Sequence, residues 1–292
     1  MTGNSQGFHS IPLYLRFAAI ALMALMFATG VVTVEAQQGR AGGPAAPATP
    51  PTPQASAAID LTGNWVAVVT EDWRWRMVTP PKGDYASLPI NPEGTKVADT
   101  WMPAMDGQCE AYGMAGLLRM PTRLRISWQD PQTLKIETDA GVQTRLLHFD
   151  EHAAAPAARS LQGFTTAEWI RPGRNANNAF GPGGGVGGAR GGGPGAGAPP
   201  APEPLPRGGS LKAVTRMLRP GWLRKNGVPY SENAEVTEFF ERFTVPNGDE
   251  WFTVDTIVHD SKYYNQDVVV SSHFKKEADA SKWSPAPCRA SS

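Results

Sequence analysis

The chain has 292 residues, 41% of them hydrophobic, and a formal net charge of zero. Neutrality argues against nucleic acid, whose binders carry basic surfaces, and against steering of strongly charged substrates by the whole-protein field. The 31 Gly and 27 Pro exceed average usage but gather in low-complexity stretches. What is left is roughly two hundred residues, a size that fits one folded domain.

In chain order, residues 1–36 read as a secretory signal peptide. Arg16 supplies the positive charge, an uncharged apolar run follows from Phe17 to Val32, and Val34-Glu35-Ala36 sets up a cut before Gln37. A retained anchor is the alternative, although the run is short for a hydrocarbon core of about 30 Å. After cleavage no stable membrane span is expected. Residues 37–58 are rich in Pro, Ala and Gly and read as a disordered linker. A single β domain is expected over 59–292, interrupted by a Gly/Pro-rich disordered loop over 172–209, which has almost no apolar side chains to offset the entropy of ordering. That loop holds a formal G-x-G-x-x-G at Gly183, Gly185 and Gly188, with no buried strand before it and no helix after it.

Most remaining segments have the period-2 alternation of half-buried strands. They are Trp65 to Val69, Trp73 to Met77, Arg123 to Trp128, Leu134 to Thr138, Val142 to Phe149, Glu235 to Val245, Trp251 to Val258 and Val268 to Phe274. Asn247-Gly248 between two β-rich runs is the strongest hairpin signal. One helix is expected from Pro92 to about Met102, capped by Asn91. The sum is an all-β, mostly antiparallel fold: a lipocalin-like up-and-down barrel of about nine or ten strands with one short helix, with a two-sheet β-sandwich as the alternative. Cys109 and Cys288 form an even pair, which in an oxidising compartment reads as one disulfide.

Leu61-Thr62-Gly63-Asn64-Trp65 looks like the Gly-x-Trp start of the first lipocalin strand. From about Asp60 to Cys288, excluding the insertion, the chain resembles a broad family of exported bacterial proteins with no assigned activity. The residues carrying this are the opening Asp60 to Trp65, Cys109 before Pro121, Gln162-Gly163-Phe164 to Trp169, Asn226 to Ser231, Thr237-Glu238 with Phe240, and Thr256 to Asp260 with Tyr264. Many relatives carry histidines near the positions of Val228 to Tyr230, where this chain has none, so a His-based mechanism does not transfer. The resemblance implies fold and compartment.

Three groups are candidate sites. Trp73 and Trp75 alternate with Arg74 and Arg76, so a strand there would present one aromatic face. Trp222, Arg224, Asn226 and Tyr230 form a polar-aromatic segment of the kind that covers a barrel mouth. Glu238, Phe240 and Arg242 share one strand face and Phe239, Glu241 and Phe243 the other; both faces mix charge with aromatics, so whichever turns inward buries a charge. That charge is either an internal Glu–Arg pair, with Arg119 or Arg125 as candidate partners, or a carboxylate of raised pKa able to act as a base with Tyr230. His148 and His152 lack the helix their spacing would need for a metal, and His259-Asp260 reads better as a strand end followed by a turn than as an acid–base pair. No metal or other cofactor is expected, and no nucleophile-elbow, P-loop, Cys-x-x-Cys or haem motif is present.

The first functional expectation is an exported, lipocalin-like protein that holds a small apolar or amphipathic ligand inside the barrel. The alternatives are a hydrolase, lyase or isomerase using a buried carboxylate, and a cell-envelope interaction module. Oligomeric state is open.

Overall fold

The structure is a computed structural model that describes residues 50–150, 152–172 and 208–291. The leader, most of the linker and nearly all of the Gly-rich segment lie outside the described residues.

Nine strands close a barrel: β1 (Gly63–Val68), β2 (Arg123–Asp130), β3 (Thr133–Thr138), β5 (Gln143–His148), β6 (Phe164–Ile170), β7 (Ser210–Arg216), β10 (Glu235–Thr244), β11 (Glu250–His259) and β12 (Val268–Glu277). Neighbours around the barrel follow chain order, and β12 pairs back onto β1, with Trp65 opposite Lys276. The all-β barrel expected from alternation is therefore what forms. One feature departs from a pure meander. Nine strands cannot alternate direction all the way round a closed ring, so at least one neighbouring pair must run parallel. That pair is β5–β6, joined only through Leu147 opposite Thr165 and His148 opposite Thr166.

Two small ribbons lie outside the barrel. In one, β4 (Ala140–Gly141) pairs in parallel with β13 (Ala286–Pro287). In the other, β8 (Gly221–Arg224) and β9 (Val228–Tyr230) form a hairpin. The helices are single turns, α1 (Trp73–Arg76) and α3 (Met114–Leu117), and the longer α2 (Pro92–Ala98). α2 starts where expected, with the Asn91 side chain accepting from the Gly94 N–H at 2.9 Å, and ends at Ala98 rather than Met102.

The Gly-x-Trp start has a mechanical reason here. Gly63 sits at φ 123°, a conformation that favours glycine. Two residues on, Trp65 turns fully inward and donates its indole N–H to the Leu61 carbonyl at 2.9 Å. Trp65 meets Phe252 edge-on at 4.7 Å, and Phe252 stacks on Phe274 at 4.8 Å. With Leu124, Ile126, Leu134, Ile136, Leu147, Leu211 and Phe240 these side chains occupy the barrel interior. A second apolar cluster, including Met114, Leu218, Val228, Tyr230, Tyr264 and Val268, packs beneath the β8–β9 hairpin and α2.

Inside the barrel one charged pair is sealed. Arg145 on β5 donates to both oxygens of Glu238 on β10, at 3.2 and 2.6 Å, with both side chains 1% exposed. Beside it, the hydroxyls of Thr165 and Thr215 bond at 2.8 Å. This is the internal Glu–Arg pair expected from the strand pattern, with a different arginine. Arg119 lies at the barrel mouth, and Arg125 stacks over Trp283 at 4.1 Å.

Cys109 and Cys288 are bonded, closing a loop with a sequence separation of 179. In the loop-entropy model so long a closure stabilises by on the order of 5 kcal/mol. The tail is also stitched by backbone bonds between Cys109 and the Arg289 carbonyl and between Arg289 and the Gly107 carbonyl, both 2.9 Å. Residues 50–58, expected to belong to the linker, are ordered against the barrel: Gln54 donates to the Pro131 carbonyl at 3.2 Å and Trp169 to the Pro53 carbonyl at 2.9 Å. The Asn247-Gly248 turn forms as expected between β10 and β11, with Gly248 at φ 87°.

Replacing Glu238 by Gln leaves Arg145 facing a neutral amide in a sealed interior. The expected cost is about 3–5 kcal/mol, a melting temperature lower by roughly ten degrees. The double replacement Arg145→Met/Glu238→Leu removes both charges and should melt near the wild-type temperature; calorimetry of the three proteins checks this.

Candidate functional site

Two of the site candidates, Trp75 and Arg224, meet at the barrel end where β1 leaves and β12 enters. Trp73 to Met77, expected as a strand, is instead the helical turn α1. Asp72 takes a left-handed conformation at φ 54°, and its carbonyl accepts from Trp75 and Arg76 at 2.8 and 3.1 Å. Alternation over five residues is too short to separate the two structures; what decides is anchoring. Arg119 grips Asp72 at 2.6 Å and Glu71 at 3.2 Å, and donates to the Ser271 carbonyl at 2.6 Å. Arg76 turns inward onto Glu71 at 2.7 Å and the Arg119 carbonyl at 2.9 Å.

This turn separates the expected aromatic pair. Trp73 is 67% exposed. Trp75 faces the mouth, sandwiched between the guanidinium groups of Arg74 and Arg224 at 4.6 and 4.7 Å, while its indole N–H donates to Asp84 at 3.0 Å. Arg224 ends β8 and donates to the Ala86 carbonyl at 2.8 Å. The structure thus brings together Trp75 and Arg224 and adds Asp72, Arg76, Arg119, Leu223 and Lys225.

Two spaces that share lining residues lie among these groups. The outer cleft, about 440 Å³, has an apolar wall of Leu88, Pro89, Leu223, Val268, Val269 and Val270 facing Arg119, Arg224, Asp72 and Asp267. Behind it is a recess of about 30 Å³, which shares Asp72, Arg119, Leu223 and Arg224 with the cleft and is floored by Trp75, Arg76, Gly116, Met120 and Lys225. Burial pushes the Arg76 guanidinium down to about 10, with the Arg119 charge adding to the effect and Glu71 opposing it. Burial lowers Arg224 and Lys225 as well.

The other expected site residues lie elsewhere. Glu238 is in the barrel interior with Arg145. Arg242 is toward the opposite end of the same strand, paired with Glu250. Trp222 is half-buried on the hairpin. Asn226 is fully buried in the hairpin turn and donates to the Pro81 and Asp84 carbonyls at 3.0 and 3.1 Å. Tyr230 is sealed in the second core. Its hydroxyl packs against Gly113 and Gly221 and has no hydrogen-bond partner among the described residues, and burial raises its pKa. Glu238 and Tyr230 therefore do not form a base–acid pair in either mouth space.

His259 bonds Asp267 at 2.7 Å, not its neighbour. Asp260 is buried, accepting from the Ser231 N–H and hydroxyl at 2.6 and 2.8 Å and shaping the following turn. His148 stacks on Phe164 at 5.1 Å. Among the described residues no group of three His, Cys, Asp or Glu side chains is placed to hold a metal, and no helix is long and apolar enough to cross a membrane.

Arg145 was legible in the alternation, because it falls on the inward face that carries Leu147. Arg76, Arg119 and Lys225 carried no such signal, since each lies in or beside a short turn whose orientation depends on distant partners.

The fold and site together define a closed nine-stranded β-barrel with a charged, apolar-walled cleft at one mouth. Comparison with protein-family models, curated proteins and solved structures found no match to this chain.

Two measurements test the local physics. A methyl group at Gly113 would fall 1.9 Å from the Tyr230 hydroxyl. Gly113→Ala should therefore cost about 1–3 kcal/mol, and Tyr230→Phe should be near neutral alone and rescue part of that loss, read by chemical denaturation. The Asp267 carboxylate raises the His259 pKa above 6.5. The stability this pair contributes is fully present below about pH 6.5 and fades as pH rises through the higher folded-state value. Proton NMR should give a His259 midpoint above 6.5 that drops in Asp267→Asn.

Proposed function

We propose that this chain is an exported binding protein for a small amphipathic molecule, held in the cleft at the barrel mouth. The observation that carries the reading is the cleft itself: about 440 Å³, one wall of Leu88, Pro89, Leu223 and Val268 to Val270, the other presenting Arg119 and Arg224. Ligand sites are concave and mostly apolar, with a few placed polar groups, and lie often at barrel mouths. The barrel interior is filled by Trp65, Phe240, Phe252, Phe274 and their neighbours, which supports the mouth over the lumen as the binding place. The disulfide supports an oxidising compartment, periplasmic or extracellular, in line with the leader pattern of residues 1–36.

An environment-sensitive hydrophobic dye should bind the purified protein and be displaced by amphipathic compounds. Val269→Glu places a charge on the apolar wall at a position 65% exposed. It should weaken dye binding about tenfold with an unchanged melting temperature. Dye binding that ignores this substitution would place the site elsewhere.

A further inference from the structure

Resting on the cleft as the ligand site, we infer that the molecule it takes is an amphipathic carboxylate whose head group enters the recess behind Arg119 and whose apolar part lies along Leu223 and Val268 to Val270.

The recess is under-neutralised. Arg76, Arg119, Arg224 and Lys225 line it with Asp72. The only other carboxylate bonded to these cations is Glu71, which Arg76 and Arg119 already share. Among the described residues, four cations thus have two bonded carboxylates, while Asp84 acts on Arg224 and Asp106 on Lys225 only through space. Arg76 is 4% exposed, and its Nη2 finds no acceptor among the described residues. Lys225 forms no ion pair or hydrogen bond among them either, though burial lowers its pKa. A buried guanidinium N–H without an acceptor costs free energy that an anionic oxygen would recover once the Arg76 side chain turns its Nη2 toward the recess. Such charge-assisted bonds are about twice as strong as neutral ones.

Size narrows the anion. The recess, about 30 Å³, has room for on the order of two water-sized groups. That suits the two oxygens of a carboxylate better than the three free oxygens of a phosphate monoester. The recess and the cleft share Asp72, Arg119, Leu223 and Arg224 in their linings, so a ligand with its head in the recess and its body in the cleft would lie against the valine wall.

The test uses octanoate, octan-1-ol and octyl phosphate titrated by calorimetry into the purified, oxidised protein. Octanoate should bind about tenfold or more tighter than octan-1-ol and more tightly than octyl phosphate, and should weaken as salt is raised. Lys225→Met breaks no ion pair and should keep the wild-type melting temperature; Arg76→Met gives up the bonds to Glu71 and the Arg119 carbonyl and should melt a few degrees lower, with Glu71 still paired with Arg119. Each should lose several-fold in octanoate affinity while octan-1-ol binding stays the same. Equal affinity for the acid and the alcohol, tighter octyl phosphate, or wild-type octanoate affinity in both variants would overturn the carboxylate assignment while leaving the cleft standing. If the dye, the alcohol and the acid all fail to bind, the cleft reading falls with it.

Discussion

The side-chain alternation of nine strands sends Trp65, Leu124, Ile136, Leu147, Phe240, Phe252 and Phe274 into one closed lumen, and those groups occupy it. Everything else follows from where that leaves room. A filled lumen acts as a rigid plug, so recognition has to be built from what the ends of the strands carry. Interior packing also sets the cost of change: rings with centroids under 5 Å apart, one pair edge-on and one stacked, leave no slack for added volume.

The sealed Arg145–Glu238 pair belongs to the same plug. Two charges taken out of water recover their hydration only through close, bidentate geometry, and here the pair spans from β5 to β10 across the lumen. An alternative register that put only one of these charges inside would be strongly disfavoured. The pair therefore works as a registration device for two strands separated in sequence by the Gly-rich insertion. The same neighbourhood contains the parallel β5–β6 junction that the odd strand number requires, where the ladder is shortest and cross-lumen contacts matter most.

At the mouth the balance of charge is different. Inside the barrel one cation meets one anion; at the mouth Arg76, Arg119, Arg224 and Lys225 outnumber their bonded carboxylates Glu71 and Asp72, with Asp84 and Asp106 acting only through space. Such an excess is costly in a partly desolvated setting unless something else completes it, and burial accordingly lowers the pKa of Arg76, Arg224 and Lys225. The disulfide holds the tail on Cys109 and the β4–β13 ribbon holds it on Ala140–Gly141, and α3 with Arg119 follows Cys109 by a few residues, so the covalent staple lies close in sequence to one of the mouth cations.

Period-2 alternation, turn residues and the Asn91 cap are local signals, and from them the sequence by itself determined the β-barrel class, most of its strands, the Asn247-Gly248 hairpin, the cysteine pairing and the presence of an inward charge on the strand from Glu235, which the structure assigns to Glu238. Strands β6 and β7 were hidden by the insertion between them, and residues 50–58 looked like linker because nothing local announces their contacts with Pro131 and Trp169. Only the tertiary structure decided that Trp73 to Arg76 is a helical turn, that Arg145 rather than Arg119 neutralises Glu238, and that Trp75 and Arg224 meet while Tyr230 and Glu238 lie apart. The reason is distance along the chain. Each of those outcomes depends on a partner more than forty residues away, such as Arg119 for Asp72 or Glu238 for Arg145, and closure of the barrel brings those partners together.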